Sequence, residues 1–514
     1  MGTKTGFSFR RFLCGISLGV LFACGVSAWA GQGSPDRLVV GVSAIAPTLD
    51  PHMTVTATAM PTMFALFDAL TTMDAQGRVQ PALALSWKAV DETTWDFKLR
   101  SGVKFHNGEA FNAAAVKFTL DRLLGDLKAP VRIRVRSIKR VTVLADDAVR
   151  IETEAPDPLL LKALSVVFML PPAFFKEAGS AGFAKAPVGT GALRFKEYVR
   201  DSHITLEAVP DSWRGRPKIR EVTMRVLPED AVRVAALRTG ELDLARGIPP
   251  ADVSSLKQAG FRIASTPVAK AALVTLNTHP ERKFRVDALN DKRVRQALNY
   301  AVDKQAIIKN IFLGYAEELD GQPVGRDAFG HHPGLKAFPY DRPRARQLLQ
   351  EAGLGGGFTV KMEFAKGMTL VDQELAEAIA GYLAEVGVKL ELFQVERTLL
   401  SQHNNAGATQ ATLLTTLNYF PVLDADFLLG WFHSKALYRF TSYPTFDQLL
   451  DRSRRIVAPE QRVKVLQEIM AFAHEDPVAI YLFKPSDIYG MHAGVQGFTP
   501  RSDEVIWFDG LSKQ

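Results

Sequence analysis

Cysteine is nearly absent: Cys14 and Cys24 are the only two in a chain of 514 residues. Two thiols exclude a disulfide framework and a four-cysteine zinc site. An excess of either charge is missing too, with 62 Lys+Arg against 55 Asp+Glu and a formal net charge of +7. Charged residues make up 23% and hydrophobic residues 47%, a globular balance that excludes a disordered or fibrous chain. No internal repeat, low-complexity tract or long charged block occurs. H-E-x-x-H, paired-Cys, EF-hand and P-loop spacings are all missing. Gly189-Thr190-Gly191 opens like a dinucleotide loop but fails G-x-G-x-x-G, because Arg194 occupies the last position. What is present is length. At roughly 100–200 residues per domain the chain needs more than one domain.

The N-terminus does not read as part of the fold. Lys4, Arg10 and Arg11 precede the uncharged apolar run Phe12–Val26, and Ala28-Trp29-Ala30 closes it with a small-x-small pattern. That is the layout of a secretory signal cleaved after Ala30. An uncleaved anchor is the bland alternative, and the run is short for one. Leu21–Gly25 resembles a lipobox that would lipidate Cys24, and Arg10-Arg11-Phe12-Leu13 loosely resembles a twin-arginine signal. The general secretory route is the preferred reading. Cleavage removes both cysteines and takes Lys+Arg from 62 to 59, so the net charge falls from +7 to +4. Thiolate chemistry is then excluded, and so is a charge argument for nucleic acid. Gly15-Ile16-Ser17-Leu18-Gly19 fits the hydrolase elbow G-x-S-x-G, but it lies inside the signal.

The first half of the remaining chain reads as strand-rich. Arg37–Ser43 suits a buried strand, Trp95–Leu99 alternates with period two, and Val141–Val143 with Ala148–Glu152 form a hairpin. Strand patterns recur at His203–Val209 and Glu221–Leu227. Helices are expected from Met60 to Leu70 and from Ala113 to Leu124, the second capped by Asn112. Arg132, Arg134 and Arg136 fall on one face of a possible strand; without interleaved aromatics they read as a solvated face. The second half alternates helices and strands. One long helix is expected from Asp291 to Ile311, with others over Asp341–Glu351, around Leu375–Leu383, at Phe446–Val457 and at Glu460–Ala473. Strands follow at Val388–Val395 and Ala411–Leu417. Such alternation implies an α/β domain. The pair His331-His332 sits on a Pro/Gly-flanked loop and reads as solvated.

Four ordered motifs then carry a resemblance. They are Pro81–Phe118 (PALALSWKAVDETTWDFKLRSGVKFHNGEAFNAAAVKF), the PVGTGALRF, WRGRPKI and VRVAALRTGELDL segments of Pro187–Asp243, VRQALNYAVD at Val294–Asp303, and YDRPRARQLLQEAG. From Leu38 to about Phe498 the chain resembles the periplasmic solute-binding proteins of bacterial ABC importers, in the peptide/nickel-binding family 5. The resemblance implies a periplasmic-binding-protein fold of type II, cluster C-like: two α/β lobes, a hinge and an inserted domain. Carried onto this sequence, lobe I takes 37–77, 188–272 and 485–514, the insert takes 78–187 and lobe II takes 273–484. His106 and Gly108 are expected to shape a turn in the insert.

The implied activity is solute capture between closing lobes and delivery to an inner-membrane permease whose ATPases lie in the cytoplasm. No enzyme activity, cofactor, metal or nucleic-acid partner is implied, and a monomer is expected. In dipeptide binders of the family an Asp pairs with the ligand amine; here that position falls on Pro421, which cannot do so. Asp424 is the available substitute, with a structural turn role as its alternative. The preceding family Trp falls on Asn418 or Tyr419. The family Arg that takes the ligand carboxylate falls on Lys366, a point charge without the bidentate fork; a solvated loop lysine explains it equally. Thr54, Thr56 and Thr58 sit where the family's first loop reaches the cleft, and turn chemistry explains them as well. The solute expected is peptide-like or another small polar molecule. A nickel chelate, with His433 as its histidine, or an opine or sugar is the same-fold alternative, and an extracytoplasmic hydrolase is the different-class one.

Overall fold

The computed structural model describes residues 34–365, 371–420 and 422–514; the N-terminal run, both cysteines, Lys366 and Pro421 lie outside them. Its frame is a mixed sheet in two halves. In the first half Arg37–Val42 runs parallel to Glu221–Val226 and to Leu244–Arg246. Glu221–Val226 continues antiparallel to His203–Ala208, which pairs with Leu193–Val199. In the second half Phe358–Ala365 lies parallel between Val388–Val395 and Thr412–Asn418, and Thr412–Asn418 pairs antiparallel with Lys270–Leu276. Central strands covered on both faces read as apolar runs, which is why Leu38, Val40 and Val42 are buried.

One strand joins the halves. Ala479–Met491 pairs through Ala479–Phe483 with Lys270–Leu276, and through Ser486–Met491 with Arg262–Pro267. The chain also crosses at Val268-Ala269, where the Val268 amide donates to the Pro485 carbonyl at 2.9 Å. Two adjacent backbone crossings are the structural form of a hinge. Residues 84–153 build a separate four-stranded antiparallel sheet, ordered Ala84–Ala89, Thr94–Leu99, Ala148–Thr153, Ile138–Ala145. The helix Ala113–Gly125 covers it, with Val116, Leu120 and Leu123 facing Phe97, Val149 and Ile151 in one core. Asn112 caps that helix, its side chain accepting from the amides of Ala114 and Ala115 at 3.1 and 3.2 Å.

Three sequence expectations need correction. The helix from Met60 stops at Leu66 rather than Leu70. Its last carbonyl is taken by the Gly191 amide at 3.0 Å, so the chain leaves the helix there. The helix expected over 291–311 is two, Lys292–Ala301 and Lys304–Asn310. Val302 is extended, and the Asp303 carboxylate restarts the helix by accepting from the Ala306 amide at 2.8 Å. Arg132, Arg134 and Arg136 do not share a strand; Pro130–Arg134 is a 3-10 turn.

His106 and Gly108 do shape a turn, and His106 also anchors the glycine-rich loop. Its Nε2 contacts the Gly191 carbonyl at 3.0 Å, and its Nδ1 accepts from the Gly189 amide at 3.3 Å. Gly189 must be glycine because a Cβ there would lie 2.0 Å from the Leu66 carbonyl oxygen. Gly189→Ala is therefore expected to cost about 1–3 kcal/mol, read as a lower melting temperature. Gly356→Ala, where a Cβ meets nothing within 4 Å, stays within about 0.5 kcal/mol. Equal melting points for the two variants would contradict this packing.

Candidate functional site

Two small cavities lie where the insert, the first half and the second half meet. One is lined by Pro51, Thr54, Val131, Arg134, Phe168 and Phe420 among others. The second is lined by residues including Phe64, Thr72, Ser165, Arg501, Asp503 and Trp507. Val166 and Phe420 line both, so they form the partition of a divided cleft.

The loop carrying Thr54 is pinned by buried charge. Asp50 accepts from Arg122 Nη2 at 2.7 Å, from the Ser180 hydroxyl at 2.6 Å and from the His52 amide at 3.0 Å. Arg122 can only donate, so His52 Nδ1, 2.5 Å from it, accepts, and Nε2–H donates to the Phe168 carbonyl at 2.9 Å. Burial, with the Arg122 charge beside it, pushes His52 down to about 4, so it is neutral throughout the physiological range. Thr54, Thr56 and Thr58 follow as a chain of hydroxyls 3.2 and 3.3 Å apart. Only Thr54 is buried and lines a cavity; Thr56 and Thr58 are exposed.

Arg134 is the cleft's free charge. In a 3-10 turn residues three apart share a face, and Val131 and Arg134 both reach the first cavity. The Arg134 guanidinium sits 4.7 Å over the Phe427 ring, and no carboxylate pairs with it among the described residues. Burial alone pushes it down to about 10, still a cation at neutral pH. Trp507 in the other cavity is fixed from behind. Arg214 lies 4.7 Å over its ring and is held by Asp68 at 3.1 Å and by Asp509. Asp68 also accepts from Trp213 Nε1 and the Thr190 hydroxyl, both at 2.9 Å.

The family model for bacterial extracellular solute-binding proteins, family 5 Middle, matches residues 78–438. The chain belongs to that family. A glutathione-binding protein GsiB from Pectobacterium atrosepticum is 31% identical over 393 residues, covering 74% of this chain and 73% of the relative. Among solved structures, NikA from Brucella suis in complex with Fe(III)-EDTA superposes with a TM-score of 0.84 at 24% identity, covering 93% of this chain and 100% of that one. DppA from Helicobacter pylori in complex with the peptide STSA gives 0.77 at 23%, covering 93% and 98%. These likenesses show the periplasmic-binding-protein fold. Solute capture for an ABC importer is this protein's role.

In this family 5 protein the residues carried over by resemblance are scattered. Asn418 is exposed at a strand end opposite Lys270. Tyr419 is buried, and its hydroxyl donates to Asp327 at 2.6 Å, beside Lys484. Burial and the Asp327 charge raise this phenol well above its ordinary range. Neither lines a cavity; the aromatic turned into the cleft is Phe420, one position on. Asp424 reaches neither cavity. It caps the short helix Ala425–Leu429 and takes a bidentate pair from Arg462 at 2.7 and 2.8 Å, with Lys162 at 3.3 Å. His433 lies beside Asp447 and Asp451, outside both cavities. His331 is not fully solvated, since Nε2 faces Asp320 at 3.1 Å. Among the described residues no group of three or more His, Cys, Asp or Glu could hold a metal.

The residues missed by sequence reasoning are Arg134, Phe168, Phe420 and Trp507. Pro130 was the available signal for Arg134, because a proline there starts a turn more readily than it continues a strand. Burial opposes ionisation of Asp424, but Arg462 and Lys162 overcome it and hold the carboxyl below its ordinary value. Because its folded value is depressed, its stabilisation is complete above about pH 4 and is lost as pH falls below that. Asp424→Ala strips the buried Arg462 of its two short hydrogen bonds and leaves it only Asp426 at 3.7 Å, at a cost of about 3–5 kcal/mol. Chemical unfolding at pH 7 checks this, and a midpoint equal to wild type would contradict it.

Proposed function

We propose that this receptor captures a small, peptide-like polar solute through a carboxylate seated against Arg134, and delivers it to the permease as a closed monomer. The lobes of the proposed closure are 37–77 with 188–272 and 485–514, against 273–484, and residues 78–187 ride as the insert. The proposal includes export by a signal ending at Ala30, with Cys24 removed, and a periplasmic location. Among the described residues no helix is long and apolar enough to cross a membrane.

The carrying observation is the unpaired guanidinium facing the cavity. A half-buried cation without a counterion destabilises the empty protein, and an anionic ligand relieves that cost. Thr54 supplies a hydroxyl on the same wall, and Lys366 is retained in the proposal as a second cation. Recognition of an amine is disfavoured. Asp503 is the one acidic side chain lining either cavity among the described residues, and Arg501 already takes both its oxygens. Glutathione, for which the 31% identical relative is named, carries two carboxylates. An anionic metal chelate or opine would engage the same guanidinium. A hydrolase reading lacks a base, since no histidine lines either cavity among the described residues.

A thermal-shift panel of dipeptides, N-acetyl dipeptides, glutathione, opines and nickel–histidine tests this. Carboxylate-bearing members should raise the melting temperature, and N-acetylation should not weaken a dipeptide. Arg134→Gln should itself raise the unliganded melting temperature by about 2 °C, because it removes an uncompensated charge, and abolish those ligand shifts. Undiminished shifts in Arg134→Gln would overturn the assignment.

A further inference from the structure

The second cavity, on the far side of Phe420, plays no part in carboxylate capture. Much of its wall is aromatic and aliphatic, with Phe64, Phe420, Val166 and Val505, and the Phe64 and Trp507 rings lie 5.4 Å apart. Two polar atoms on that wall, Thr72 Oγ1 and Trp507 Nε1, are buried without a hydrogen-bond partner. An unmet donor costs about 1–3 kcal/mol, so two beside one cavity favour a partner atom between them. The indole N–H can only donate, whereas the hydroxyl can donate or accept. The complementary atom is therefore an acceptor oxygen.

The ion pairs in and behind the wall decide its charge: Arg501 and Asp503 line the cavity, and Arg214 lies against Trp507. Arg501 is neutralised by Asp503 and also donates to the Met73 carbonyl at 3.0 Å. Arg214, against the Trp507 face, is neutralised by Asp68 and Asp509. These two cations face three carboxylates, so no cation is left free to compensate a buried ligand anion. The Ser165 hydroxyl is also occupied, donating to the Lys162 carbonyl at 2.7 Å.

We infer that the cleft has a second compartment, between Thr72 and Trp507, that takes an uncharged apolar group bearing an acceptor oxygen such as an amide or ketone carbonyl. This deepens the proposed function and rests on it: the solute would be asymmetric, with its carboxylate at Arg134 and its uncharged carbonyl end beyond Phe420. The WRGRPKI segment then acquires a purpose, since Trp213 and Arg214 are what hold Asp68 and Trp507 in register.

The experiment uses the mature protein with 15N-labelled indoles. N-methylacetamide, which carries the carbonyl and no charge, is titrated while the tryptophan Nε1–H resonances are followed. The Trp507 signal, assigned by its loss in Trp507→Phe, should shift saturably, and Thr72→Val should weaken that titration about 3- to 10-fold. A Trp507 resonance that does not move in wild type overturns the compartment, whatever the Arg134 results. In parallel, N-acetyl-Ala-Ala and hexanoate, which carries a carboxylate but no amide carbonyl, are compared by calorimetry. Thr72→Val and Trp507→Phe should each weaken the acetylated dipeptide about 3- to 10-fold and leave hexanoate unchanged; equal losses, or none, also overturn it. Loss of carboxylate dependence in Arg134→Gln bears on the carboxylate reading alone, because N-methylacetamide does not use that group.

Discussion

The strand Ala479–Met491 belongs to both halves of the sheet, and every cleft residue depends on that sharing. Its first residues are hydrogen-bonded into one half and its last into the other. Between them the second crossing runs alongside at Val268-Ala269. Backbone ladders on both sides leave few torsions free, so relative movement of the halves is confined to a narrow belt. That belt is held by buried ions: Arg246 pairs with Asp487 at 2.6 Å and with Glu504, and Glu504 also takes Lys270. Arg246 and Asp487 stand on strands of one half, and Lys270 begins a strand of the other. The hinge is thus a charged joint inside an otherwise apolar crossing.

Charge placement explains the cleft by contrast. Asp424, Asp503, Asp68, Asp50 and Glu504 are all buried, and each is taken by an arginine or lysine. Such pairs hold loops in place, and removing one partner is far more costly than the pair is worth. Arg134 breaks that rule. A cation that is left facing a cavity, over an aromatic ring, raises the free energy of the empty protein and lowers it when an anion arrives. Functional sites are where such local inconsistency is expected.

Much of the fold was legible in the residues. Asn112, Asp291 and Asp341 announced helix starts, because each carboxylate or amide accepts from an amide two or three residues on, a purely local bond. The period-two run at Trp95–Leu99 and the apolar run at Arg37–Val42 were equally local. The misreadings share a cause. The helix at Met60 ended early because Gly191, far along the chain, took its last carbonyl. Asp424 took the structural role that was its alternative, capping a short helix, while its partner Arg462, like Asp327 for Tyr419, is not revealed by sequence spacing. Phe420, the residue after Tyr419, lines both cavities, in a loop where no periodicity sets the register.

By itself the sequence determined the class of molecule: motif order marked a family 5 solute receptor, and local patterns set strands, helices and caps, since these depend on neighbours a few residues apart. Only the tertiary structure decided which charged side chains are satisfied. Charge pairing is a property of distances between segments separated by tens to hundreds of residues, and it alone distinguishes Asp424, consumed by Arg462, from Arg134, left free beside the cavity. The near absence of cysteine takes its place in that picture. With no disulfide called on among the described residues, the lobes are held by a shared strand and buried ion pairs, bonds that leave a cleft able to close.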